Sequence, residues 1–162
     1  MNNEKYTAFD TLTLKGIELL RALNNILGLE LVALTERELQ NIVEFAKQKS
    51  QLLADFSENI NLRDSLLEAL SLSSNKPSII AFLESCPNQK LKNTYLSNWI
   101  ILEETLKSTI DSNAVNEQVL KRNQKNIDTI LTILQGKQAN NILYDAKGDK
   151  GDYAGQSRIG KA

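Results

Sequence analysis

The chain has 162 residues, of which 41% are hydrophobic, and this length and apolar content favour one domain with a real core. Its 19 basic and 20 acidic residues give a net charge of −1, so no excess of positive charge indicates a nucleic-acid partner. The sequence has no histidine and one cysteine. This composition excludes His-based catalytic triads, zinc sites built from histidine and cysteine, and an internal disulfide. We expect neither a metal nor another cofactor.

No targeting or membrane segment is predicted. Residues 1–10 mix acidic and amide side chains and lack the apolar stretch of a signal peptide. The longest apolar cluster, 99–102, is flanked by Asn98 and Glu103 and is far shorter than a membrane span. The sequence therefore predicts a soluble intracellular protein with no membrane insertion, for which a lone thiol is ordinary in a reducing compartment.

Glycine and proline are unevenly distributed along the chain. Residues 136–162 hold five glycines, whereas residues 1–135 hold only Gly16, Gly28, Pro77 and Pro87. The leucine-rich first part lacks the alternation typical of strands, which favours long helices. The predicted fold class is all-α, an elongated antiparallel helical hairpin or coiled-coil bundle with a disordered C-terminal tail. The predicted boundaries are 1–136 for the helical domain and 137–162 for the flexible tail.

Two long helices are predicted first. The helix from about Phe9 to Leu34 contains two apolar stripes, so we expect it to contact more than one neighbour. Thr35 and Glu38 have the spacing of a capping box, which predicts that a second helix of about 35 residues begins there. The segment 59–61 is a candidate bend. The very short connection predicts an antiparallel hairpin. The apolar seam of the second helix is predicted to be Leu39, Ile42, Ala46, Lys49, Leu53, Phe56, Ile60, Leu67 and Leu70.

Three shorter helices are predicted to follow. A loop at 71–77 leads into a helix over 78–85 that begins after Pro77 and is stopped by Pro87. A fourth helix is predicted over about 89–110, with the Asp-Ser-Asn sequence at 111–113 breaking it. A fifth is predicted over about 115–134, ending at Gly136.

Several motifs resemble functional sites but lack the required context. Residues 155–162 fit a phosphate loop except at Ala162, and the strand and helix that such a loop needs are missing. Three aspartates in 145–152 have neither the spacing nor the glutamate of an EF-hand. Cys86 has no neighbouring base and is expected to be a half-buried small side chain. No catalytic residues are predicted, and the chain is not expected to be an enzyme.

Two other features allow alternative interpretations. Tyr95 and Trp99 lie four residues apart, where core packing is favoured over an exposed binding platform. Asn116 and Asn123 occupy seam positions of the fifth helix, where apolar residues are expected. Either these amides are buried and fix helix register, or this face is exposed until another chain covers it.

The last third of the chain contains specific sequence motifs. Residues 116–136 read Asn-x-x-Val-Leu-x-x-Asn-Gln-x-x-Ile-x-x-x-Leu-x-x-Leu-x-Gly, and residues 141–148 read Asn-x-Leu-Tyr-Asp-Ala-x-Gly. A polar tail follows and ends in Lys-Ala. In these motifs the chain resembles the FlgN-like family of flagellar type III export chaperones. Over residues 1–110 the similarity is limited to a shared layout, a long N-terminal helical hairpin.

The resemblance implies a cytoplasmic chaperone that holds hook-associated proteins, which join hook and filament, for the flagellar export apparatus. In that family the last helix and the tail bind the C-terminal helical segment of the cargo, and a tail tyrosine docks at the export-gate component. Carried over to this chain, the resemblance assigns docking to Tyr144. It assigns cargo binding to Val119, Leu120, Asn123, Ile127, Ile130, Leu131 and Leu134.

Three other classes of function compete with this one. A self-associating coiled-coil adaptor or structural protein would bury the fifth helix in a homo-oligomer and leave the tail dispensable. A ligand-sensing four-helix module would have an internal pocket into which Asn98, Asn116 and Asn123 converge. An enzyme is the third alternative. The sequence leaves open whether the chain forms a homodimer and whether helices exchange between two chains.

Overall fold

The computed structural model describes residues 3–134, and this range consists of α-helices and their connections, without strands. The all-α prediction is confirmed. The described residues fall into two units, those up to Leu120 (unit 1) and those from Lys121 onward (unit 2). The predicted tail at 137–162 lies outside the described residues. Within the described range no helix has the length and apolar character needed to cross a membrane. The helices are α1 (Glu4–Glu36), α2 (Leu39–Ala69), α3 (Lys76–Glu84) and α4 (Gln89–Leu134).

The turn between α1 and α2 differs from the predicted capping box. Thr35 lies in the last turn of α1, where its hydroxyl donates to the Leu31 carbonyl at 2.8 Å. Glu38 precedes α2, and no side chain caps that helix. The chain reverses at Arg37, which has a left-handed backbone (φ 61°) and donates its N–H to the Ala33 carbonyl. The capping-box prediction was wrong because a threonine inside a helix can bond back to the preceding turn.

The predicted antiparallel hairpin of α1 and α2 is confirmed by two contacts. Asn59 Nδ2 donates to the Leu12 carbonyl at 2.9 Å, and Lys49 lies 2.7 Å from Glu30. The two contacts therefore run in opposite order along the two helices, which makes α1 and α2 antiparallel. The helix α2 is continuous through residues 59–61, where a bend was predicted.

The buried side of α2 is more polar than its predicted seam. Phe56 and Leu67 are buried, as predicted. Leu39, the first residue of that seam, is 76% exposed. Asn59 and Arg63, which the apolar pattern omits, are buried. The pattern failed here because it scores only apolar residues, whereas α2 also packs polar side chains against its neighbours.

The short helix α3 is formed as predicted, with bounds shifted by about two residues at its start. The side chain of Asn75 accepts a hydrogen bond from the Ser78 N–H, and Pro77 lies in the first turn. Helix α3 packs into one of the two apolar clusters of unit 1. The buried members of that cluster are Tyr6, Phe9, Leu67, Ile79, Phe82, Leu83, Cys86 and Tyr95. Cys86 is thus fully buried rather than half-buried.

The predicted break at 111–113 is absent, because α4 continues from Gln89 to Leu134 as one helix of 46 residues. The predicted fourth and fifth helices are therefore two parts of α4. Asp, Ser and Asn lower helix propensity by only tenths of a kcal/mol each, and this segment contains neither glycine nor proline. Asn113 moreover donates to the Glu117 carboxylate one turn later, at 2.9 Å. Weak helix formers alone do not end a helix.

Helix α1 is the central helix of unit 1, as its two stripes predicted. Leu19, Leu23 and Ile26 of one stripe and Leu20, Leu27 and Leu34 of the other are all buried. The second apolar cluster joins α1 to Phe56 of α2 and Leu102 of α4. Both stripes are buried because two different helices pack against α1.

Candidate functional site

A buried polar network links three helices of unit 1. The Glu30 carboxylate of α1 accepts one hydrogen bond from Lys49 of α2 at 2.7 Å and another from Asn116 of α4 at 2.7 Å. Asn116 Nδ2 also lies 2.9 Å from the Leu27 carbonyl, to which it donates. Glu30 and Asn116 are both buried. Asn116 is therefore a buried amide with hydrogen-bond partners. This agrees with the first of the two interpretations that the sequence left open.

A second buried carboxylate lies toward the other end of α1. Asp10 accepts a hydrogen bond from Asn98 of α4 at 2.9 Å. Burial raises the pKa of Asp10, and the hydrogen bond from Asn98 lowers it. Asn98 and Asn116 thus bind residues at opposite ends of α1. The ligand-sensing alternative requires these amides to converge on one pocket, and within unit 1 Asn98 and Asn116 do not.

The aromatic pair of α4 belongs to the core rather than to a platform. Tyr95 is buried and shares a hydrogen bond with Thr7, the two hydroxyl oxygens being 3.0 Å apart. Trp99 is half-buried, and its ring lies 5.8 Å from that of Phe9. Both side chains therefore pack in the core, which is the interpretation that the sequence favoured.

The described part of unit 2 presents an apolar helix face to solvent. Ile127, Ile130, Leu131 and Leu134 have side chains that are 48% to 77% exposed. Their spacing is i, i+3, i+4 and i+7, which places all four on one side of α4. Four large apolar side chains on one exposed helix face are typical of a surface that binds a partner helix.

The other residues assigned to cargo binding are less uniform. In unit 1, Val119 is half-buried and Leu120 is 51% exposed. Asn123 of unit 2 is half-buried and has an interaction of its own. Tyr144, assigned to docking, lies outside the described residues. The geometry therefore groups four of the seven cargo-binding candidates into one exposed face.

Sequence reasoning missed three buried charged residues, Asp10, Glu30 and Arg63. Arg63 of α2 is 8% exposed and lies beside the ring of Trp99, at 5.8 Å. Its spacing of seven residues from Phe56 and four from Leu67 is the only sequence signal that places it on the packed side of the helix. Across residues 3–134, no group of three or more Cys, Asp or Glu side chains is placed to hold a metal ion.

A comparison with protein families adds independent information about the chain. The family model described as "FlgN protein" matches residues 6–151, which is most of the chain and includes the helical hairpin as well as the last third. Searches of curated proteins and of solved structures found no match.

Proposed function

Since the chain belongs to the FlgN family, a family of flagellar export chaperones, we propose that it binds the C-terminal helical segments of hook-associated proteins in the cytoplasm and delivers them to the flagellar type III export apparatus. The proposal has two parts. The first is cargo binding by an apolar face of α4, and the second is docking at the export gate through Tyr144.

The observation that carries the first part is the exposed face formed by Ile127, Ile130, Leu131 and Leu134. An amphipathic cargo helix has its own apolar side, and contact between the two would remove both from water. Burial of one isoleucine or leucine side chain contributes about 2 kcal/mol, so even part of this face supplies a useful affinity. Ordering of the cargo segment opposes binding and keeps the affinity moderate, which favours release at the gate.

Cargo binding is tested with Ile127→Asp in the full chain. Calorimetric titration with a C-terminal helical peptide of a hook-associated protein from the same organism is the measurement. We expect saturable binding by the unchanged protein and at least about 100-fold weaker binding by the variant, since an aspartate loses the apolar contact and would be buried without a partner.

Thr129→Asp is the matched control for Ile127→Asp. It adds the same charge to the same helix, but Thr129 is exposed and lies about 200° around α4 from Ile127, at about 100° per residue. This variant should bind the peptide as the unchanged protein does, and circular dichroism should show equal helix content in all three proteins. Equal binding by Ile127→Asp and Thr129→Asp would exclude this face as the cargo site. Absence of peptide binding together with self-association through this face would favour the adaptor function instead.

Tyr144→Ala tests the docking part of the proposal. We expect the variant to keep its affinity for the cargo peptide, while export of hook-associated proteins into the culture medium falls several-fold. Calorimetry measures the first quantity, and immunoblotting of secreted protein measures the second. Tyr153→Ala, a change of another tyrosine in the same tail, is the control and should export normally. Unchanged export by Tyr144→Ala would reject the docking role.

A further inference from the structure

Helix α2 carries a stripe of exposed side chains in addition to the residues that it buries. The seven residues of this stripe follow one another at alternating intervals of four and three, and all seven are exposed. We define them as the outer stripe: Leu39, Val43, Ala46, Ser50, Leu53, Ser57 and Ile60. This spacing is that of a coiled-coil seam, so the seven side chains lie along one side of the helix.

The outer stripe consists only of apolar or small residues. None of the seven is charged. The four large side chains, Leu39, Val43, Leu53 and Ile60, are 76%, 70%, 49% and 37% exposed. An uncharged stripe that continues over six turns of helix is larger than the scattered apolar residues of an ordinary surface, and it is typical of contact with another helix.

The order of large and small side chains makes the outer stripe complementary to itself. Two copies of α2 can pair in opposite directions with Ser50 at the two-fold axis. Leu53 of each copy then lies opposite Ala46 of the other, and Val43 lies opposite Ser57. The large residues at the two ends of the stripe meet each other. Each large side chain near the centre therefore faces a small one, which permits close packing.

A parallel pairing lacks this complementarity because it places identical residues opposite each other. Ala46, Ser50 and Ser57 would each face their own copy, and the small pairs would leave gaps that lose packing contacts. In the antiparallel pairing, residue i contacts residue j and residue j contacts residue i. This is the contact pattern of two-fold dimers, the commonest class of homo-oligomer.

The contact area corresponds to a weak dimer. The outer stripe spans 39–60, so two paired helices would be in contact over about 33 Å. If about one third of each helix circumference is covered, the pair buries roughly 500 Å² per copy and roughly 1,000 Å² in total. Specific interfaces begin near this area, and those at the lower limit are weak or transient. Area alone does not set affinity, but the size favours a micromolar dissociation constant.

We propose that the outer stripe binds the outer stripe of a second copy of the chain, forming an antiparallel two-fold dimer. The pairing removes the four large side chains of each copy from water, and no charge is buried with them. The interface uses residues of α2 in unit 1 and none of the four residues of the exposed face in unit 2. The dimer is therefore independent of the proposed cargo site.

Dimerisation is tested by sedimentation equilibrium of the full chain at neutral pH. We expect a reversible monomer–dimer equilibrium with a dissociation constant of about 10–100 μM. Leu53→Ala removes a large side chain from the interface twice, once in each copy, and should weaken the dimer at least about 10-fold. Ala46→Leu should weaken it by a similar factor, since leucine would clash with Leu53 of the second copy.

The double variant Ala46→Leu with Leu53→Ala tests the antiparallel order itself. It exchanges the large and the small residue of one pair, so a leucine again faces an alanine. We expect the double variant to dimerise within about three-fold of the unchanged protein, although each single change weakens the dimer. Both residues are exposed and both replacements are good helix formers, so circular dichroism should show unchanged folding.

Leu62→Ala is the matched control for Leu53→Ala. Leu62 is 50% exposed and lies nine residues after Leu53, on the opposite side of α2 at about 100° per residue. This variant should dimerise as the unchanged protein does. Ile127→Asp should also leave the dimer intact, which separates this interface from self-association through the exposed face of unit 2.

Three results would overturn the proposal. The first is a protein that stays monomeric up to about 500 μM, well above the expected dissociation constant, which would leave the outer stripe to a partner other than a second copy. The second is a dimer that Leu53→Ala weakens no more than Leu62→Ala does. The third is a dimer that Ala46→Leu strengthens or that the double variant fails to restore, because either result contradicts the antiparallel order.

Discussion

Gly16→Leu is expected to lower the free energy of unfolding by about 3 kcal/mol, because α1 has no room for a side chain at this position. A Cβ atom on Gly16 would lie 2.8 Å from Asn59 Oδ1 and 3.0 Å from Leu102 Cδ1. Asn59 cannot readily move away, since its Nδ2 is bound to the Leu12 carbonyl. Gly16 therefore permits the close approach of α2 and α4 to α1. Urea denaturation followed by circular dichroism measures the change.

Gly28→Ala is the matched control, because Gly28 lies in the same helix but is exposed and would place its Cβ in open space. Alanine is favoured over glycine in a helix by about 1 kcal/mol, so this variant should be more stable than the unchanged protein. Opposite signs at the two glycines are the expected outcome. A Gly16→Leu protein as stable as Gly28→Ala would show that α1 is not closely packed at Gly16.

Lys49→Met is expected to destabilise the protein by about 2 kcal/mol, since it leaves the buried Glu30 carboxylate without its cation. The Glu30 side chain is 6% exposed and that of Lys49 is 24% exposed, so solvent screens this pair only partly. The hydrogen bond from Asn116 would remain, but a neutral amide stabilises the Glu30 carboxylate less than the Lys49 ammonium does. The measurement is again the urea midpoint at neutral pH.

Lys15→Met is the control, because it removes an ion pair at the surface instead of a buried one. Lys15 and Glu18 lie 2.8 Å apart, but their side chains are 52% and 70% exposed, and such pairs contribute about 0.5 kcal/mol at most. A further variant, Glu30→Gln combined with Lys49→Met, should recover much of the lost stability because no buried charge remains. If Lys49→Met were no more destabilising than Lys15→Met, the network would not be an organising contact of unit 1.

The sequence alone was sufficient to predict the helical hairpin and to identify the family. The apolar stripes at helical spacing predicted α1 and its two neighbours, and Pro77 predicted the start of α3 to within about two residues. The motifs at 116–136 and 141–148 pointed to the FlgN family, and the family match over 6–151 confirms it. These features are local, so they can be read without knowing what each residue contacts.

The wrong predictions of helix ends came from local sequence signals that the interactions within a longer helix outweigh. Thr35 and Glu38 have the spacing of a capping box, yet the hydroxyl of Thr35 bonds back within α1. The Asp-Ser-Asn sequence at 111–113 is unfavourable in a helix but continues α4. In both places the local preference is outweighed by the backbone hydrogen bonds and the packing that extend the helix.

Only the tertiary structure decided what the residues of each stripe contact. Asn116 of unit 1 is buried and bound to Glu30, whereas Ile127 of unit 2 is 57% exposed, although both are seam positions of the same predicted helix. Arg63 is omitted by the apolar pattern of α2, yet it is buried and its guanidinium lies beside the ring of Trp99. Periodicity determines which residues share a side of a helix, whereas burial depends on which other helix reaches that side, and this is set by contacts between residues far apart in the chain.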